Sequence, residues 1–209
     1  DNDGRLYEGT LSDFRPDWVK SFEVKTNEDD PSRKDLEAMV KALEEPDDKL
    51  VKALTPLLNL DQFFTFWAME VLVHHGDGYA GNMNNFYLYN NPKSGLLEFL
   101  PWGVDGTLSE RAQFDKRAPS NVFARGKLAR RLYLNPSTQQ RYSATLQKLL
   151  TTVWKEEDLL KEVDRMEKLV APFVKRDPLM PLWTQRNADF TKEVEAIRSF
   201  IRERRVKFN

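Results

Sequence analysis

The chain has 209 residues, is 40% hydrophobic, and carries 32 Lys and Arg against 33 Asp and Glu, a formal net charge of -1 at pH 7. Such a length supports one well-buried core, the mean hydropathy of -0.63 is too polar for a membrane protein, and the balanced charge gives no general attraction to nucleic acid or to an anionic membrane surface. The absence of cysteine excludes a disulfide framework, a thiol nucleophile and a thiolate metal site, and leaves the compartment open.

The chain opens at Asp1-Asn2-Asp3-Gly4 without a methionine, as a processed chain would, and no charged-then-apolar leader follows. No run reaches the roughly 18 apolar residues of a membrane span. Residues 1–30 read as an opening segment of loops and short extended pieces, with Phe22-Glu23-Val24-Lys25 as its best strand by alternation. A helix is expected over 33–44, with Ser32 as N-cap, Asp35 reaching back in a capping box, and Leu36, Met39, Val40 and Leu43 at helical intervals. Leu50, Ala53, Leu54, Leu57 and Leu58 mark a second, shorter helix. Asn59 or Asp61 then caps a third that runs toward His74. Phe63, Phe64, Phe66, Trp67, Met69, Val71, Leu72 and Val73 leave only Thr65 and Glu70 as polar members of that helix, which should therefore cross the centre of the core.

After Asn82 the period changes. Phe86–Tyr89 and Leu96–Leu100 are rich in strand formers, and the turn residues of 90–95 between them predict a β-hairpin, with Asp105 just beyond. Further helices are expected over Val122–Leu132, Pro136–Trp154, Glu156–Val174 and Asn187–Arg205, the last with a stripe of Trp183, Phe190, Val194, Ile197 and Ile201. No internal repeat is visible, and one domain over 1–209 is expected. Its fold class is α+β, mostly α-helical.

The most informative segment is His75-Gly76-Asp77-Gly78-Tyr79-Ala80-Gly81-Asn82, an H-x-D-x-x-x-x-N spacing. That spacing is the one found in protein-kinase catalytic loops, where the acid faces the attacking hydroxyl and an amide oxygen farther on faces a metal ion. Alone it is a common coincidence, and Asp77 and Asn82 can equally cap a tight turn. A buried helix before it, a hairpin after it and an acid at the hairpin exit strengthen the reading. His75 is expected to be structural, and a zinc pair with His74 is disfavoured because sequence neighbours point apart. Gly76, Gly78 and Gly81 also fit G-x-G-x-x-G, but a dinucleotide fingerprint needs a strand before and a helix after, the reverse of the order here; the glycines are expected to permit positive φ in a tight loop. Phe86, Tyr87 and Tyr89 alternate like a strand, so with Trp102 they are assigned to core packing over base stacking. Arg202, Arg204, Arg205 and Lys207 read as a solvated helix end.

The run Asp77-Gly-Tyr-Ala-Gly-Asn82-Met-Asn-Asn85-Phe-Tyr-Leu-Tyr89, followed by Phe99-Leu-Pro-Trp102-Gly-Val-Asp105, resembles the central motif block of the CotH family, atypical kinases named after a spore-coat protein. Looser similarity extends through Leu6–Gly9, Phe22–Lys25, Ser32–Leu36, Arg131, Arg141-Tyr142 and Phe200–Arg204. The resemblance implies a protein-kinase-like C-terminal lobe with a β-hairpin beside the catalytic loop, carried by the segment 75–105. It also implies ATP as phosphoryl donor, Mg or Mn as metal, a protein substrate, and a spore or cell-surface setting. It makes Asp77 the catalytic acid and Asn82 and Asp105 the nucleotide and metal residues, with Asn85 a rival amide ligand. The chain departs from the family at Gly103, where many members have an acid directly after Pro-Trp. No strand bearing a nucleotide-gripping lysine precedes the motif block, so the isolated chain is expected to lack the N-terminal lobe and an intact ATP site. Two other readings stand beside it: a non-catalytic kinase-like scaffold in a coat or cell-surface assembly, and a metal-dependent hydrolase built on His75, Asp77 and Asp105.

Overall fold

The computed structural model describes residues 3–109, 121–174 and 189–208. The fold is α+β and mostly helical, with one four-stranded antiparallel sheet in the order β2-β1-β3-β4. Its strands are β1 (Arg5–Gly9), β2 (Phe22–Val24), β3 (Phe86–Asn91) and β4 (Leu96–Pro101). The hairpin β3–β4 forms as its turn residues require, with Leu88 opposite Phe99. The opening segment, read as loops and short extended pieces, supplies two of the four strands. β1 lies inside the sheet, pairing Tyr7 with Leu88 on one side and with Val24 on the other. A five-residue strand whose partners lie in other parts of the chain leaves little local signal.

Helices α1 (Lys34–Ala42), α2 (Asp47–Leu54) and α3 (Leu60–Leu72) follow β2. The expected capping box at α1 does not form: the N-cap is Arg33, with no side-chain cap bond. Asp35 instead accepts from the Tyr7 hydroxyl (2.9 Å) and from Asn90 Nδ2 (2.9 Å), tying α1 to the sheet. Of the two candidate caps for α3, Asn59 acts, its Oδ1 accepting from Gln62 N at 3.2 Å, while Asp61 pairs with Arg141.

α3 does cross the core. Phe63, Trp67, Ala68, Val71 and Leu72 are fully buried, and Phe63 meets Phe99 at 4.8 Å between ring centroids. Trp67 lies 4.1 Å from Tyr142 and donates from Nε1 to Phe123 O at 2.7 Å. The outer edge of β4 would offer unpaired backbone groups, but Leu97 N donates to Leu57 O, Asn59 N donates to Leu97 O, and Phe99 N donates to Gln62 Oε1. Helix and sheet therefore form one body around the aromatic cluster.

The remaining helices are the short α4 (Tyr79–Asn82), α5 (Lys127–Leu134), α6 (Pro136–Thr152), α7 (Glu156–Val174) and α8 (Phe190–Phe208). α5 starts later than the sequence suggests, since Lys127 N is taken by both oxygens of buried Asp13 at 3.0 Å each, which fixes its first turn. Of the stripe assigned to the last helix, Trp183, like Asn187, lies outside the described residues. The basic cluster of α8 is not simply solvated. Arg204 is 1% exposed and donates to the carbonyls of Leu72 (2.7 Å) and Val71. A helix end leaves its last carbonyls without intrahelical partners, so Arg204 satisfies the end of α3 at the point where the chain leaves for His75. Among the described residues no helix is long and apolar enough to cross a membrane.

Candidate functional site

α3 ends in a reversal at His74, whose φ of 56° is left-handed. The next residues fold back against the helix: His75 N donates to Glu70 O at 2.6 Å, and Gly76 N to His74 O at 2.9 Å. His75 is 2% exposed, in keeping with a structural role. Burial lowers the pKa of its ring, while backbone groups of Trp102 and Asn85 and the charges of Asp77 and Asp105 pull the other way.

Two of the loop glycines serve space, not positive φ. None of Gly76, Gly78 and Gly81 has φ above zero. A Cβ on Gly78 would sit 2.1 Å from Glu70 Oε1, and one on Gly81 would sit 2.2 Å from Gly76 O. The left-handed conformations fall on His74, Met83 (57°), Asn85 (49°) and Gly103 (54°), and the asparagine and glycine among them tolerate this best.

Asp77 is half-buried, and both its carboxylate oxygens are held by amides. Asn82 Nδ2 donates to Oδ1 at 2.7 Å; Asn85 Nδ2 (2.8 Å) and Asn84 Nδ2 (3.3 Å) donate to Oδ2. Arg125 Nη1 donates to Asn82 Oδ1 at 3.1 Å, and Arg125 N donates to Ala80 O at 2.8 Å. An amide between a carboxylate and a guanidinium has one orientation open to it, so Asn82 links Asp77 to Arg125. Asn85 Oδ1 faces Gly103, where a Cβ would approach to 2.7 Å. Glycine at 103 thus leaves open the space in front of that amide oxygen, on the chain that runs into Asp105.

Of the four residues singled out in the sequence, the structure brings Asp77, Asn82 and Asn85 into direct contact. Asp105 does not join their hydrogen bonds. It is exposed on a 3-10 turn, Val104–Gly106, close enough for its charge to act on His75 together with that of Asp77. Among the described residues no cluster of three or more His, Asp or Glu is placed to hold a metal. Trp102, assigned to the core by its alternation, is 51% exposed and packs on Tyr87 at 5.1 Å, on the outer face of the hairpin. Phe86 is the member of that aromatic run that enters the core.

Two residues that build the loop escape the motif. Glu70, 3% exposed within α3, accepts from Tyr79 N (2.7 Å) and Ala80 N (2.9 Å). Desolvation pushes its pKa up to about 8, against the lowering effect of those two bonds. Asp13 is fully buried and accepts from the Tyr79 hydroxyl (3.0 Å), Phe14 N and Arg15 Nε as well as from Lys127 N. Glu70 was visible as the odd polar residue in an aromatic helix; nothing local distinguishes Asp13.

The sequence profile of the family described as CotH kinase protein matches residues 1–207. The chain is also 24% identical over 181 residues to inner spore coat protein H of Bacillus subtilis (strain 168), an alignment covering 86% of this chain and 48% of that protein. The chain thus spans about half the length of this relative. With a family profile that runs almost from end to end of it, the chain belongs to the CotH family.

Proposed function

We propose that this chain is the catalytic-loop part of a kinase that transfers the γ-phosphoryl group of ATP to a hydroxyl of a protein substrate, in a protein-kinase-like C-terminal lobe. The observation that carries the reading is the Asp77 carboxylate, fixed by the amides of Asn82, Asn84 and Asn85 at the end of a buried helix. Phosphoryl transfer asks a protein mainly for positioning and charge stabilisation, so an acid held from several sides suits it. A carboxylate oxygen has two lone-pair directions, and Oδ1 spends one on Asn82. The other can accept the proton of an incoming hydroxyl and aim its oxygen at the phosphorus.

The oxygen donors around the loop fit a hard divalent cation such as Mg or Mn. Asn85 Oδ1, facing the space that Gly103 leaves open, and Asp105 beyond it would hold the ion. Asn82 suits this role less well, because its oxygen is engaged by Arg125. Such an ion, when bound, offsets charge on the nucleotide phosphates. Arg125 supplies a further cation beside Asp77 from the chain itself.

The test is transfer of γ-phosphate by the full-length protein that carries this chain, compared with its Asp77→Asn and Asp105→Asn variants. Both substitutions should reduce turnover by about 100-fold or more; Asp105→Asn should leave the melting temperature unchanged, and Asp77→Asn, which turns an NH2 toward one of the three donating amides, should lower it without unfolding the chain. Undiminished activity in both would sink the assignment. A second reading, a non-catalytic module in a coat or cell-surface assembly, is favoured by the exposed Asp105 outside the hydrogen-bonded group and by the relative's name as a spore-coat protein. It predicts no heat of binding when Mg-ATP is titrated into the same protein, where the kinase reading predicts saturable binding.

A further inference from the structure

We infer that Glu70 is a positioning residue, a post inside the core that sets the backbone on both sides of Asp77. The inference rests on the proposed role of Asp77 in phosphoryl transfer. Glu70 touches the loop at four places. Its carbonyl accepts from His75 N, its Oε1 and Oε2 accept from Tyr79 N and Ala80 N, and Gly78 passes so close that a Cβ there would clash with Oε1. Asp77 lies between the contacts at His75 and Gly78. The amides that hold its carboxylate follow directly after the contacts at Tyr79 and Ala80.

The chemistry at position 70 is narrow. Tyr79 N and Ala80 N open α4 and have no partner within that helix, so two adjacent N–H groups point into an aromatic core. A carboxyl group answers both, one oxygen each, and in its protonated form the O–H can turn away from the two donors, which the NH2 of an amide cannot do. Glutamine would turn an NH2 toward one of them, and leucine would leave both unsatisfied. Among the described residues none of the side chain's hydrogen-bond partners is a cation that would offset burying the acid. Among the described residues the His75 ring stands beside Glu70 across Gly78, and the charge of Glu70 acts on the Tyr79 hydroxyl, itself bonded to Asp13, and on the Tyr142 hydroxyl of α6. An acid retained at such cost in the middle of α3 makes sense through the loop it holds: an apolar residue would serve the helix better.

The experiment compares full-length parent and Glu70→Gln by hydrogen exchange of the segment 75–85, by melting temperature, and by kcat and KM for ATP. The near-isosteric variant should fold, exchange about 10-fold faster or more in 75–85 with α6 unchanged, and lose up to about 100-fold in kcat with KM little altered. Equal exchange and equal kcat would overturn the inference. So would faster exchange spread evenly over the chain, or failure of the variant to fold, since either makes Glu70 a general stabiliser. If the parent transfers no phosphate, the functional reading has failed, and exchange confined to 75–85 still decides whether Glu70 sets the loop.

Discussion

The Asp77 loop and the α7–α8 pair both depend on charged side chains, yet they use them in opposite ways. Behind the loop the supporting ionisable side chains are buried and bond backbone of other segments: Glu70 to Tyr79 and Ala80, Asp13 to Lys127, Arg204 to Val71 and Leu72. On α7, which has no fully buried residue, Arg165 meets Glu162 (2.5 Å) at the surface, Arg198 of α8 reaches exposed Asp164 (2.7 Å) from a half-buried position, and Met166, Leu169 and Phe173 stay exposed. Buried polar groups cannot exchange their partner for water, so each fixes a geometry; solvated ion pairs can, and fix little. The half of the molecule that carries the candidate chemistry is the half whose polar contacts have no alternative.

Substitutions should separate the two regions sharply. Gly81→Ala drives a Cβ onto the Gly76 carbonyl, a backbone atom with nowhere to go, and should cost about 3–4 kcal/mol in denaturant unfolding. Arg204→Met removes the cation over the Phe200 ring and the guanidinium that Leu72 O accepts from, while Val71 O keeps its bond from His74 N, a loss of about 2–3 kcal/mol by the same measurement. Glu70 gives the loop a pH signature. Its folded pKa, near 8, lies above the ordinary carboxylate value, so the native state keeps a proton that the unfolded state has released. Stability should therefore fall as pH rises from the ordinary carboxylate range toward 8, by up to about 1.4 kcal/mol per pH unit, and Glu70→Gln should flatten that slope. At the other end of the scale, Arg165→Ala, which removes an ion pair exposed on both sides, should leave the melting temperature within error. A large drop there would erase the contrast between the regions.

Much of this was legible in the sequence, for reasons that also explain what was not. α3 announced itself by its aromatic density, the hairpin by its turn residues, and α6 and α7 by period, because each is specified by neighbours in the chain. β1 is specified by β2 and β3, and the sequence around Leu6 carries no trace of either. The box at Ser32 and Asp35 matched a local pattern, but the Tyr7 hydroxyl and Asn90 claimed Asp35 first. Asp77 and Asn82 were found by spacing and Asn85 by the family resemblance, and the three do meet. Of their supports, Glu70 stands only nine and ten residues from its partners, whereas Asp13 and Arg204 act across more than a hundred residues, which no motif spans. Trp102 shows the limit of alternation, which says that a residue faces one side of a sheet without saying which side is covered.

The central claim is that Asp77 serves phosphoryl transfer, and γ-phosphate transfer by the full-length protein against Asp77→Asn, each matched by a melting curve, tests it most directly. The account predicts at least about a 100-fold loss of transfer in a protein that keeps a cooperative melting transition. Transfer at the parental rate by Asp77→Asn would contradict it.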